Sequence, residues 1–193
     1  MIDINGTKIG RGLAPYVVAE ISANHNGSID SCKKLITLAK ENGANAVKLQ
    51  TYRPESLTVD SMLDDFLIKE GLWKGRNLYE LYEEAHTPWE WFEELFSHAR
   101  EVGITLFSSP FDKDAVDLLE ELGCPAYKIA SFEILDHELI EYAASKMKPI
   151  ILSTGMANKE EIEEAINVVR KKNNNDLIIL HCVSGYPSTP DDY

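Results

Sequence analysis

Short apolar runs rich in β-branched and aromatic residues recur along the chain. They are "PYVVAEIS" (from Pro15), "NAVKLQT" (from Asn45), "GITLFSS" (from Gly103), "PAYKIAS" (from Pro125), "KPIILST" (from Lys148) and "LIILHCVS" (from Leu177). Near-continuous runs of this length fit strands covered on both faces. Between them, "IDSCKKLITLAKENG", "TPWEWFEELFSHAREVG", "DKDAVDLLEELG", "DHELIEYAASKM" and "NKEEIEEAINVVRKK" place apolar residues at helical spacing. Asp30, Thr87, Asp112, Asp136 and Asn158 stand where helix caps are expected, and the first three helices run out at a glycine. Alternating strands and helices predict parallel βαβ units.

An open doubly wound sheet and a (β/α) barrel both satisfy that alternation. The phosphate fingerprints of the doubly wound class, GxGxxG and GxxxxGK[ST], are absent. Nearly every strand instead ends in polar residues: Glu20 and Ser22, Lys48 and Gln50, Ser108 and Ser109, Lys128 and Ser131, Ser153 and Thr154, His181 and Ser184. Packing does not explain a polar ring at one end of successive strands, whereas a barrel builds its active site there. The predicted fold is therefore an α/β (β/α)8 TIM barrel of which this chain holds about the first six units. A closed barrel takes eight units and roughly 250 residues, so residues 1–193 are expected to be the N-terminal part of a longer protein. The segment 53–88 reads as an elaborated βα loop, the usual place for a lid.

Composition narrows the class. A 44% hydrophobic and 26% charged chain is globular rather than disordered. A net charge of −13 argues against nucleic acid as a partner. No apolar run approaches the roughly 18 residues of a membrane span, so no membrane partner is expected and the cytoplasm is the expected compartment. Three scattered cysteines, Cys32, Cys124 and Cys182, form no CxxC pair and read as small buried hydrophobes. In so acidic a chain, an anionic substrate needs its lysines gathered in one pocket.

Lys48 and Lys128 stand near the ends of the second and fourth strands, with Ser109, Ser131, Ser153 and Ser184 at neighbouring ends. Either each lysine pairs with a carboxylate, or together with the hydroxyls they clamp a phosphate or carboxylate. A lysine in this position could also form a Schiff base. Glu20 and Glu133 share the mouth, a pairing suited to proton transfer or water activation. His25 and His181 are possible metal ligands, but lone histidines at strand ends more often serve as hydrogen-bonded structural groups, so no metal residue is assigned. His86, His98 and His137 read as bystanders, and Trp89, Trp91, Phe92 and Phe96 as helix packing.

Taken together, "AEISANHNGS", "AVKLQTY", "SSPFD", "YKIASFE", "PIILSTGMA" and "LHCVSGYPS" resemble the sialic acid synthase family, and "FLIKEGLWKGRNLYELYEEAHTPWEW" resembles its pseudaminic acid synthase branch. The resemblance implies a barrel followed by a small antifreeze-like domain, in a homodimer. It implies a transferase that condenses phosphoenolpyruvate with an amino sugar. It also implies a divalent metal (Mn, Mg or Co) whose ligands lie outside this chain. By position it maps phosphoenolpyruvate contacts onto Lys48, Ser109, Lys128, Ser131, Ser153 and Ser184, although sialic acid synthases commonly have Asn where Ser184 stands. Glu20, Gln50 and Tyr186 fall at positions resembling the sugar site, and Glu133 matches an acid that handles a proton or water. The alternatives are an N-acetylneuraminate or legionaminate synthase, a Schiff-base barrel aldolase, and an inactive binding or assembly fragment.

Overall fold

The computed structural model describes residues 1–185 and 188–192. It opens with an element absent from the expectations above. β1 (Ile2–Ile4) and β2 (Thr7–Ile9) pair antiparallel, with Ile4 opposite Thr7. The link is Asn5-Gly6, whose φ values of 51° and 83° suit a tight mirror-image turn. Ile4 is fully buried, and Asn5 Nδ2 donates to Thr105 Oγ1 at 3.2 Å. The hairpin thus lies against the start of a sheet strand, at the end opposite the polar ring.

The main sheet follows: β3 (Val18–Glu20), α1 (Ile29–Glu41), β4 (Ala46–Thr51), α2 (Pro54–Leu57), α3 (Leu78–Ala85), α4 (Phe92–Val102), β5 (Thr105–Pro110), α5 (Lys113–Glu121), β6 (Tyr127–Ile129), α6 (His137–Ser145), β7 (Ile150–Ser153), α7 (Lys159–Lys171) and β8 (Leu177–Leu180). The six strands β3 to β8 are parallel and hydrogen-bonded in chain order. Parallel crossovers are right-handed, so an order that never reverses sends every connecting helix to the same face. That distinguishes a barrel wall from a doubly wound sheet, and the sheet curls into a half-barrel as expected.

Paired residues on neighbouring strands share a face. Leu49, Leu106, Tyr127, Ile129, Ile150 and Leu152 form the helix-facing side, buried under apolar residues such as Ile36, Phe92, Leu95, Leu119, Ile140 and Val169. Glu20, Lys48, Gln50, Ser109, Lys128 and Ser153 have the opposite parity and face the interior.

Three predicted caps hold. Asp112 accepts from the Ala115 amide (2.6 Å) and Asp136 from the Leu139 amide (2.9 Å), while Asn158 and Glu161 satisfy each other's amides reciprocally. Two do not. Ser28, not Asp30, caps α1 by accepting from the Ser31 amide. Thr87 caps nothing, because a 3-10 turn over Trp89–Trp91 leads into α4. Gly43, Gly103 and Gly123 follow their helices with φ between 72° and 86°, the left-handed stop that glycine adopts without strain.

Segment 53–88 is ordered by specific polar contacts. Asn77 caps α3 by accepting from the Tyr79 amide (2.8 Å) and also donates to the Ser61 carbonyl (2.6 Å). The Ser56 hydroxyl donates to the Asp112 carboxylate, tying α2 to the start of α5. Trp89 lies beneath the Arg53 guanidinium, 3.6 Å from ring centre to Cζ, and its Nε1 donates to the Tyr52 carbonyl. Phe92 and Phe96 are core residues, as expected of them. His98 lies away from the polar ring, and its ring bridges Thr37 Oγ1 (2.9 Å) and the Lys33 carbonyl (3.1 Å), joining α4 to α1.

Candidate active site

A parallel strand that points alternate side chains inward delivers its last polar residues to the barrel mouth. β4 does this with Lys48 and Gln50, β5 with Ser109, β6 with Lys128 and β7 with Ser153. Together with Glu20, Ser131, Glu133 and Ser184 they line one cavity of about 720 Å³. Nine of the ten residues expected at the site therefore converge. The tenth, Tyr186, lies outside the described residues.

Glu20 and Lys48 stand opposite each other in the ladder, and their side chains pair at 2.5 Å. The Glu20 carboxylate also accepts from the Ser22 amide (3.0 Å) and hydroxyl (2.9 Å), which holds Ser22 in a left-handed conformation at φ 47°. Lys48 in turn donates to Ser109 Oγ at 3.3 Å. For Lys48 the carboxylate partner and the serine clamp thus occur together.

Lys128 behaves differently. It is 8% exposed, and its Nζ donates to the Ile129 carbonyl at 2.9 Å without an ion-pair partner among the described residues. Burial, reinforced by the nearby charge of Lys48, pulls its pKa from 10.5 to about 8. Glu20, Glu133 and Cys182 oppose that shift but do not cancel it. Burial likewise pushes the Glu133 carboxyl up, and its Oε2 is buried without a hydrogen-bond partner. An under-paired cation and a protonatable acid facing one cavity can hold an anion and move a proton beside it.

Several site residues escaped sequence reasoning. Cys182 is not a buried hydrophobe like Cys32 and Cys124: it lines the cavity, with Sγ 3.2 Å from Ser153 Oγ. Burial pushes its thiol up, but the Ser153 hydroxyl, the Thr154 backbone and Lys128 outweigh it and leave the thiol below its ordinary value. Its parity was the available signal, two residues before Ser184. Gly155 leaves the space in which the Ser131 and Ser184 hydroxyls meet. A Cβ there would sit 2.8 Å from Ser131 Oγ and closer still to Ser184 Oγ. Tyr52, Leu57, Tyr82 and Phe111 form an apolar side of the same cavity. Leu57 and Tyr82 come from the predicted lid, whose Trp73 points to solvent at 51% exposure.

His25 is buried, with Nδ1 accepting from the Gly27 amide at 3.2 Å and its ring edge-on to Trp91, in keeping with a structural group. His181 is exposed. Among the described residues no three His, Cys, Asp or Glu side chains gather as a metal centre. No described helix is long and apolar enough to cross a membrane.

Comparison with known proteins bears on the family and the fold. The chain is 52% identical over 178 residues to the pseudaminic acid synthase of Helicobacter pylori, covering 92% of this chain and 52% of that protein. It is 34% identical over 194 residues to the N,N'-diacetyllegionaminic acid synthase of Legionella pneumophila, covering 98% of this chain and 54% of that one. The chain thus spans about half the length of these relatives. Among solved structures, the N-acetylneuraminic acid synthetase of Leptospira borgpetersenii, determined with citrate, superposes with a TM-score of 0.86 at 31% identity, over 99% of this chain and 62% of that one. A truncated 3-deoxy-D-arabino-heptulosonate 7-phosphate synthase from Thermotoga maritima shares the fold at TM-score 0.67 and 16% identity. The NeuB family pattern matches residues 35–193, and the chain belongs to the NeuB family.

Proposed function

We propose that this chain supplies the phosphoenolpyruvate-binding half of a nonulosonic acid synthase, and that the sugar is 2,4-diacetamido-2,4,6-trideoxy-L-altrose, as in pseudaminic acid synthesis. The observation that carries the reading is the convergence of Lys48, Lys128 and four serine hydroxyls on one cavity with Glu133. Phosphoenolpyruvate carries a phosphate and a carboxylate, and the two ammonium groups would offset their charge, Lys128 from a largely buried position. Ser109, Ser131, Ser153 and Ser184 would supply hydrogen bonds from fixed positions. C3 of phosphoenolpyruvate attacks the sugar aldehyde, water adds at C2, and phosphate leaves by C–O cleavage. Glu133, its carboxyl biased toward the protonated form, would exchange the proton of the aldehyde oxygen or the water. Glu20 would face the sugar while holding Lys48, with Gln50 and Tyr186 contacting the sugar.

The complete enzyme is proposed to act in the cytoplasm as a homodimer of (β/α)8 barrels with an antifreeze-like domain. A divalent metal would polarise the aldehyde, with its ligands outside residues 1–193. The test is phosphate release on mixing phosphoenolpyruvate with the amino sugar, together with the mass of the nine-carbon product. No release with any 2-acetamido sugar refutes the reading.

A second reading draws on one observation. Lys128 is buried with its pKa drawn down to about 8, as a Schiff-base lysine requires. Borohydride reduction in the presence of a carbonyl substrate discriminates the two: a mass adduct on Lys128 supports the aldolase, and an unmodified chain excludes it.

A further inference from the structure

The mouth cavity has two chemically different sides. One carries the charges and hydroxyls described above. The other is built by Tyr52, Leu57, Tyr82 and Phe111. Tyr52 is 4% exposed and sits edge-on to both other rings, its centroid 5.9 Å from Tyr82 and 5.6 Å from Phe111. These four residues come from four separate places: the residues just after β4 and β5, and the helices α2 and α3.

Three of the four contributors are held from behind. The Tyr52 carbonyl accepts from Trp89 Nε1, α2 is fastened by Ser56 to Asp112, and α3 is capped by Asn77. An apolar surface fixed this way does not need a ligand to order it. Toward phosphoenolpyruvate, small and multiply anionic, it offers nothing. It faces whatever else enters the cavity, and a hydroxyl pressed against the Leu57 side chain or the ring faces would lose water without gaining a partner. A methyl group or the methyl end of an acetamido group loses nothing there. Burial raises the Tyr82 phenol pKa and the nearby Glu133 carboxylate raises it further, so this side borders the proposed proton-handling acid.

We infer that Tyr52, Leu57, Tyr82 and Phe111 are the specificity-determining surface of the site. They receive an alkyl or acetamido substituent of the sugar where other sugars carry a hydroxyl. The inference rests on the functional reading above and assigns the choice of sugar to these side chains. It also places the aromatic contribution of the lid at Tyr82 rather than at its tryptophans, which pack against Arg53 and His25 or face solvent.

The test uses the protein expressed from its complete reading frame. Phosphate release is measured with N-acetylmannosamine and with the 6-deoxy diacetamido hexose, and the ratio of the two kcat/KM values is followed. Leu57→Ala and Tyr82→Ala should each lower the preference for the deoxy sugar by roughly tenfold, the discrimination typical of one lost apolar contact. The loss should appear in the KM for the deoxy sugar, with the KM for phosphoenolpyruvate within about twofold of wild type. Tyr82→Phe should restore the ratio, because the ring and not the hydroxyl does the selecting. A wild type that prefers N-acetylmannosamine, or a preference untouched by both alanine variants, overturns the inference while phosphoenolpyruvate condensation stands. Absence of phosphate release with either sugar overturns the functional reading and this inference with it.

Discussion

Replacing Lys128 by methionine should make the protein more stable and much worse at holding an anion. The lysine is 8% exposed and lacks an ion-pair partner among the described residues, so folding confines its charge among dipoles and beside Lys48. A fall from 10.5 to about 8 corresponds to about 3 kcal/mol against the charged form. Methionine keeps the length, removes the charge and packs adaptably, so at pH 7 the variant should gain about 1–3 kcal/mol, read as a higher urea midpoint at unchanged m. Above pH 8 the native lysine sheds its proton while the unfolded one keeps it. The unfolded state then binds more protons, so the lysine's contribution rises with pH. The stability gap between variant and wild type should therefore close between about pH 8 and 10.5. Using the gap cancels other titrations, including Cys32 and Cys124, which burial pushes to about 11. Calorimetric phosphoenolpyruvate affinity should fall by tens- to thousands-fold, on the order of 2–5 kcal/mol for one lost charged partner in an enclosed site. A variant that is less stable at pH 7, or that binds phosphoenolpyruvate within threefold of wild type, refutes the account of Lys128 as strain held for binding.

Gly155→Ala should weaken phosphoenolpyruvate about tenfold at nearly unchanged stability, because the new methyl displaces the Ser131 and Ser184 hydroxyls without straining the backbone; calorimetry beside a urea titration checks both halves. Glu133→Gln should cost roughly 10²-fold in kcat and abolish a pH-profile limb lying above 4.5, the ordinary value from which burial raises this carboxyl. Persistence of that limb in the variant assigns it to another group. Asn158→Ala should lower stability by about 1 kcal/mol through loss of the capping box at α7, with turnover unchanged, as thermal melts and a phosphate-release assay will show.

The strands were legible because a strand covered on both faces writes itself as an unbroken apolar run, and the site because such runs deliver their terminal polar residues to one end. The phase of each strand was harder to read. Ser108 and Ser109 look alike in sequence, yet Ser108 turns toward the helices to bond Thr51 Oγ1 at 2.7 Å while Ser109 meets Lys48. Cys182 was hidden for the same reason, since a thiol reads as a hydrophobe until its face is known. The Glu20–Lys48 pair depends on the parallel register of two strands joined through α1, which local pattern does not encode. Gly155 contributes a space rather than a group, and a space has no sequence signature. The opening hairpin did have one, Asn5-Gly6 between alternating apolar residues, but it is only two short strands long beside six dominant runs.

The order β3 to β8 also bears on how the cavity comes into being during synthesis. Each strand emerging from the ribosome finds its partner in the strand just before it, so contacts accrue locally and no early segment waits for a distant one. Charge arrives first: Glu20 and Lys48 can neutralise each other as soon as β4 docks on β3. Lys128 enters an interior already lined, and the hydroxyls of Ser153 and Ser184 come last with β7 and the chain beyond β8. The nascent chain therefore stores its first cation in an internal pair, and the full polar lining of the cavity appears only when the final strands are in place.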